Sequence, residues 1–328
     1  METLLLSQQD VQASLSIPEV IQAVEEGYLA FHTGRVQQPD IVSLEVPAHS
    51  GETDIKSCYN PSNETMSVKI ASGFYDNERL HGLPTMLGTI LLLDGRTGAP
   101  LCVMDGGLIT GIRTGAAGAL SARLLARRDS RTVAVLGGGG QARMQIYCLA
   151  AVMDIQTVQV YSPRPEELPR YQADVEARTG LRVVPCATPA EAMNGADIAI
   201  STTPSTRFLV EQSMVEPGTH IVAVGADMPG KNEWDPLVFR GAKIVTDSTA
   251  QCLARGETRN AVQAGIITPD DICGEIGALL AGEKPGREND REITIFDTTG
   301  MGVQDNVTAV RVYETARAKG LGQYFSFL

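Results

Sequence analysis

Apolar residues recur at helical spacing between Ser16 and Gly34, where Ile17, Val20, Ile21, Val24, Tyr28 and Phe31 would share one face. Ser16 offers a cap, Pro18 sits in the first turn and Gly34 stops the pattern, so a helix is predicted here. From there to about residue 104 the texture changes to short alternating runs broken by turn residues. Thr53–Tyr59 and Met66–Ala71 flank NPSNET, while Thr85–Leu93 and Pro100–Met104 flank DGRTG; each pair predicts an antiparallel hairpin. Residues 108–128, LITGIRTGAAGALSARLLARR, are helical in pattern yet loaded with Gly and Ala. Glycine costs about 1 kcal/mol against alanine inside a helix, which predicts a helix packed very closely against a neighbour.

Beyond residue 130 strand and helix patterns alternate. TVAVL, VQVYS, DIAIST, HIVAVGA, KIVTDS and ITIFDTTG are near-continuous apolar runs separated by helical stretches, as in a parallel sheet covered on both faces. A last amphipathic helix is predicted from Val303 to Gly320. The expected fold class is α/β. A Rossmann-type doubly wound parallel sheet would occupy residues 128–302, beside an α+β antiparallel domain of residues 1–127 to which residues 303–328 return. The antiparallel sheet leaves a face or edge that needs covering, so this domain is expected to serve dimerisation.

Composition narrows the function classes. The chain has 328 residues, 43% hydrophobic, enough for two real cores. A net charge of −12 argues against a nucleic-acid binder that works by bulk charge. Six scattered cysteines without a C-x-x-C fit reduced thiols in a cytoplasmic protein better than a disulfide frame or a zinc site. His32, His49, His81 and His220 stand alone, so no metal is expected. METLLLSQQD lacks the features of a signal peptide, and Ile90 to Leu93 is too short an apolar run to span a bilayer, so no membrane partner is expected.

Residues 132–142 read TVAVLGGGGQA, a strand followed by Gly137-x-Gly139-x-x-Ala142 and a helix from Gln141. The first glycine permits the tight turn, the second lets backbone approach a pyrophosphate, and the small third residue lets strand and helix pack closely. The pyrophosphate would sit on the helix N-terminus. An NAD site would present an acid at the end of the next strand. Here VQVYSPRPEE has Ser162 at that place and Arg164 just beyond, so NADP(H) is favoured over NAD(H). The alternative is that Arg164 is a solvated loop residue.

Four further segments extend the pattern: SVKIASGF around Lys69, ITGIRTGAAGALSA around Arg113, VGADMPGKNEWD around Asp227, and ITIFDTTGMGVQD around Gly300. With GGGGQA, their order and approximate spacing resemble the ornithine cyclodeaminase/μ-crystallin family over essentially the whole chain. The resemblance implies homodimers that use a nicotinamide cofactor and no metal. It implies that Lys69 and Arg113 hold the substrate α-carboxylate, with Thr85 also contacting substrate and Lys69 close to the chemistry. It implies that Asp227 is the acid/base at the substrate nitrogen, and that Thr299 and Gly300 face the nicotinamide. An Asp near Lys or Arg could equally be a structural ion pair.

Two positions depart from the cyclodeaminase pattern. Ser43 stands where family members often have a carboxylate-binding Arg, and Lys56, thirteen residues before Lys69, stands where cyclodeaminases carry an acid suited to a distal ammonium. If Tyr59 pairs with Met66 across NPSNET, Lys56 falls opposite Lys69, an unfavourable pairing unless an anion lies there. A register slip would place Lys56 on the solvent face instead. The leading expectation is an NAD(P)H-dependent imino-acid reductase or amino-acid dehydrogenase acting on C–N bonds, with an acidic imino acid such as iminosuccinate using Lys56. Ornithine cyclodeamination, from L-ornithine to L-proline and ammonia, and a non-catalytic crystallin-like NADP-binding protein are the alternatives.

Overall fold

The computed structural model describes residues 2–327. The chain begins with β1 (Glu2–Leu6), α1 (Gln8–Ser14), α2 (Ile17–His32), β2 (Val42–Val46), β3 (Gly51–Asn60), β4 (Thr65–Phe74), α3 (Asn77–His81), β5 (Met86–Asp94), β6 (Pro100–Asp105) and α4 (Gly107–Leu125). It continues with β7 (Thr132–Leu136), α5 (Gly140–Leu149), β8 (Thr157–Tyr161), α6 (Leu168–Thr179), β9 (Arg182–Pro185), α7 (Pro189–Met193), β10 (Ile198–Ser201) and β11 (His220–Ala223). Then come β12 (Lys243–Thr246), α8 (Thr249–Arg255), α9 (Glu257–Gln263), β13 (Ile272–Glu275), α10 (Ile276–Leu280), β14 (Thr294–Asp297), α11 (Gly302–Lys319) and β15 (Gln323–Ser326).

Two compact units result, residues 2–113 with 301–327, and residues 114–300. The expected boundaries at 127/128 and 302/303 therefore move to 113/114 and 300/301. The glycine-rich helix is the reason. From Thr114 onward α4 packs within the second unit, where a Cβ on Gly115 would lie 2.5 Å from the Met144 carbonyl oxygen of α5. Only a residue without a side chain permits that approach.

In the first unit a seven-stranded sheet runs β15-β1-β6-β5-β4-β3-β2 among the described residues. All neighbours are antiparallel except β1 and β6. Helices α1, α2 and α11 belong to this unit, and Leu4, Ile90, Leu92 and Met104 from the sheet pack with Val11 of α1 and Ala309, Val312 and Ala316 of α11. Strand alternation sends Val42, Leu44, Ile70 and Leu87 to the other face, where they are 44–55% exposed. Ser16 stands at the N-cap of α2, as its position suggested, but its side chain makes no capping bond; α1 carries the full capping box, Ser7 with Asp10.

The second unit is an eight-stranded, wholly parallel sheet in the order β13-β12-β14-β11-β10-β7-β8-β9. The order reverses between β7 and β10, the point at which open α/β sheets bind ligands beyond their carboxyl ends. Its core is built from Ala134, Leu136, Ala199, Ile221, Trp234, Phe239 and Ile295 with the helices that cover them.

Candidate active site

In the first unit β3 and β4 pair with Tyr59 opposite Met66 and Lys56 opposite Lys69. Both lysines point to the core face, in one row with Ile90 of β5 and Met104 of β6, and are 8% and 1% exposed. Arg113 of α4 is also buried, at 3%. Three cations therefore share the interior of one small unit, at a high desolvation cost unless an anion compensates.

The sequence reading missed the compensating group, Asp305 on α11. Its Oδ1 accepts from Lys69 Nζ at 2.8 Å and from Arg113 Nε at 2.9 Å, while Oδ2 lies 2.7 Å from Lys69 Nζ. Gln304 was missed too. Its Oε1 accepts from Arg113 Nη1 and from the Met301 amide, and its Nε2 donates to the Tyr28 hydroxyl. The available signal was the polar run Gln304-Asp305-Asn306 between Val303 and Val307, in the first turns of α11, where every residue from Gly302 to Ala309 is buried.

Burial, then the Arg113 charge, push the Lys69 ammonium down to about 7, against the pull of Asp305 and with a further push from Lys56. Burial favours the neutral form of Asp305, but the charges of Arg113 and Lys69 outweigh it and hold that carboxyl below its ordinary value. The charges of Arg113 and Lys56 both work against the Lys69 ammonium, so an anion such as a substrate carboxylate brought beside the three would be favoured.

Thr85 is not brought to this cluster. Its carbonyl accepts from the Phe74 amide, five positions along β4 from Lys69, roughly 17 Å at about 3.3 Å per residue. Alternation then assigns it to the opposite face. Ser43 pairs with Asp54, and its hydroxyl donates to Asp54 Oδ1 at 2.6 Å. Asp54 is two residues from Lys56 and shares its face.

In the second unit Gly137 takes φ +114°, donates its amide to Tyr161 O at 2.8 Å, and leaves no room for a Cβ, which would meet Thr202 Oγ1 at 2.7 Å. Gly139 caps α5 without a side-chain bond, and a Cβ on Gly139 or Gly140 would meet nothing within 4 Å. Gln141 is half-buried in the first turn and Ala142 is fully buried against the sheet. An uncapped helix N-terminus with open space before it fits a dinucleotide pyrophosphate.

At the end of β8, Ser162 is buried and its hydroxyl accepts from the Arg164 amide at 3.1 Å. The expectation that this end holds no carboxylate needs correction. Glu167, returned by the turn at Pro165–Glu167, places Oε2 3.4 Å from Ser162 Oγ and Oε1 2.5 Å from Arg164. The chain folds back on itself, which a fixed spacing after the glycines does not reveal.

Asp227 follows β11 at the carboxyl edge. Its Oδ1 lies 2.7 Å from Lys231 Nζ, and its carbonyl accepts from Arg255. The carboxylate is 43% exposed despite this pairing. Thr299 and Gly300 follow β14, and their amides both donate to Asp247 Oδ2, at 3.0 and 2.8 Å. Glu233 braces the same edge, accepting from Thr203 through Oε1 and from the Gly225 amide through Oε2. Burial pushes the Glu233 carboxyl up to about 7. Asp247 and Glu233 were also missed. No group of three or more His, Cys, Asp or Glu side chains suited to a metal ion occurs among the described residues, nor is any helix long and apolar enough to cross a membrane.

The model of the ornithine cyclodeaminase/mu-crystallin family matches residues 1–320. The fold is shared over both full lengths with an archaeal alanine dehydrogenase dimer with bound NAD, at 38% identity and TM-score 0.94. The Δ1-pyrroline-2-carboxylate reductase of Thermococcus litoralis, solved with NADH and L-proline, matches 98% of this chain and 99% of its own at 34% identity and TM-score 0.95. The iminosuccinate reductase of Paracoccus denitrificans, solved with NAD+, matches the full length of both chains at 30% identity and TM-score 0.91.

Proposed function

The chain belongs to the ornithine cyclodeaminase/mu-crystallin family, and on that premise we propose that it is an NAD(P)H-dependent imino-acid reductase, equivalently an amino-acid dehydrogenase. The observation that carries this reading is the buried cluster of Lys56, Lys69 and Arg113, with Lys69 and Arg113 sharing the carboxylate of Asp305. Arg113 and Lys69 hold the substrate α-carboxylate, the guanidinium as a planar fork and the ammonium as a point charge. Asp305 orients both. When bound, the nicotinamide supplies hydride to the imine carbon or takes it back in the reverse direction. Asp227 manages the proton on the substrate nitrogen, its carboxylate oriented by Lys231. Thr299 and Gly300, held by Asp247, face the cofactor ring.

For the substrate we propose an acidic imino acid, with Lys56 meeting the second carboxylate. Asp54 on the same face favours a second reading, a substrate with a distal ammonium, which would bring cyclodeamination back. The NADP(H) expectation rests on Ser162 and Arg164; Glu167 beside both bears against it. The homodimer rests on the exposed face of Val42, Leu44, Ile70 and Leu87, and a reducing cytoplasm suits six cysteines that form no disulfide.

The test is a panel of 2-oxo acids with ammonia or methylamine, cyclic imines and L-ornithine, with reduced cofactor followed optically and products by mass spectrometry. Stoichiometric oxidation of NAD(P)H is expected, with oxaloacetate plus ammonia outrunning pyruvate plus ammonia, and Lys56→Met removing that advantage. Proline formed from ornithine without net redox change would establish the cyclodeaminase instead. Cofactor binding without any turnover would leave the crystallin-like reading.

A further inference from the structure

We propose that Glu167 selects the dinucleotide by its adenosine ribose, accepting from a free 2′-hydroxyl and repelling a 2′-phosphate, so that the second unit prefers NAD(H); this rests on the dinucleotide reading of the glycine-rich turn. A ribose reader in such a fold must touch two places at once, the glycine turn after the first strand and the end of the second. Glu167 does both. Its Oε2 lies 3.4 Å from Ser162 Oγ at the end of β8, and its Cβ and Oε2 would each lie 3.3 Å from a Cβ placed on Gly138. The absence of a side chain at Gly138 therefore leaves room for this carboxylate.

The backbone keeps it there. Pro165 opens the turn, the Glu167 amide donates to Arg164 O at 3.1 Å, and α6 begins at the next residue. Glu167 makes no side-chain cap bond to that helix, so its carboxylate is turned toward the strand end instead. The Ser162 hydroxyl, which stands where an NAD site would present an acid, accepts from the Arg164 amide and so shapes the turn.

The cations near this point are matched by acids. Arg164 pairs with Glu167 itself, and Arg143 lies 2.9 Å from Asp174 while donating to the Gly138 carbonyl. A 2′-phosphate, carrying up to two negative charges, would meet no surplus of positive charge here. Arg164 is 60% exposed and can leave an ion pair of little net worth. Swinging out toward a phosphate, however, would leave the less exposed Glu167 bare beside it. A neutral 2′-hydroxyl donating to that carboxylate leaves the Glu167–Arg164 pair intact.

Titration calorimetry of the full-length protein with NADH and with NADPH tests the assignment without turnover. The wild type should bind NADH about tenfold or more tighter. Glu167→Gln and Glu167→Ser should each close most of that gap, weakening NADH and strengthening NADPH, while Arg164→Ala keeps the NADH preference. A wild type that binds NADPH more tightly overturns the proposal, as does a ratio unmoved in folded Glu167 variants. If the ratio is unmoved while NADH still binds, the glycine turn remains a dinucleotide site and only Glu167 loses its role. If neither dinucleotide binds, the dinucleotide reading fails and the proposal goes with it.

Discussion

Asp305 sets the charge balance of the first unit, because it is the carboxylate that Lys69 and Arg113 share. Breaking a buried pair leaves uncompensated charge and costs roughly 3–5 kcal/mol. Asp305→Asn should therefore lower the melting temperature by about 6 °C or more, given roughly 2–4 °C per kcal/mol in domains of this size. A carboxylate ligand should recover more of that loss in the variant than it adds to the wild type, since it would take the place of the missing charge. Differential scanning fluorimetry with and without oxaloacetate reads both effects; an unshifted melting temperature would remove Asp305 from this role. Lys69 makes a prediction about pH. With its ammonium pushed down to about 7, a growing fraction is neutral as the pH rises, and an anion must then draw a proton in order to bind. The KM for the oxo or imino acid should accordingly rise above pH 7, and a flat KM between pH 6 and 9 would show that Asp305 keeps Lys69 charged throughout.

At the level of elements, α4 was predictable as a helix and its glycines as points of close approach. Which neighbour they approach was not. Gly115 meets the backbone of α5, so Gly115→Ala should destabilise despite alanine's better helix propensity, by roughly 1–3 kcal/mol for an overpacked contact. Gly140→Ala serves as the control: open space surrounds that position, and chemical denaturation should show little change. The hairpin of β3 and β4 was legible because its turn residues and alternation agree, and the Lys56–Lys69 juxtaposition follows from register alone. The strands β1, β2, β9, β13 and β15 did not stand out, whereas β10, β11, β12 and β14, equally short, did so as apolar runs regularly separated by helical stretches.

For the whole molecule, the face of Val42, Leu44, Ile70 and Leu87 implies a covered surface. Sedimentation should give twice 35.0 kDa at micromolar concentration. Leu44→Asp together with Ile70→Asp should shift that mass to the monomer, and a dimer that survives the double change would place the interface elsewhere.

Local chemistry was enough to read the parallel sheet, the glycine turn, the two lysines and the edge position of Asp227, because each depends on neighbours within about a dozen residues or on a regular period. Tertiary structure alone decided the rest. Asp305 is 236 residues from Lys69 and 192 from Arg113, and only the return of α11 to the first unit brings its carboxylate to them. Glu167 is close in sequence, yet it reaches Ser162 and Gly138 only through the turn at Pro165–Glu167. Thr85 leaves the cluster for the complementary reason: the alternation and length of the strand, not its residue type, determine which face and which end it occupies. Charge compensation and cofactor selection both depend on which side chains meet across a folded chain, and no spacing along the sequence encodes that distance.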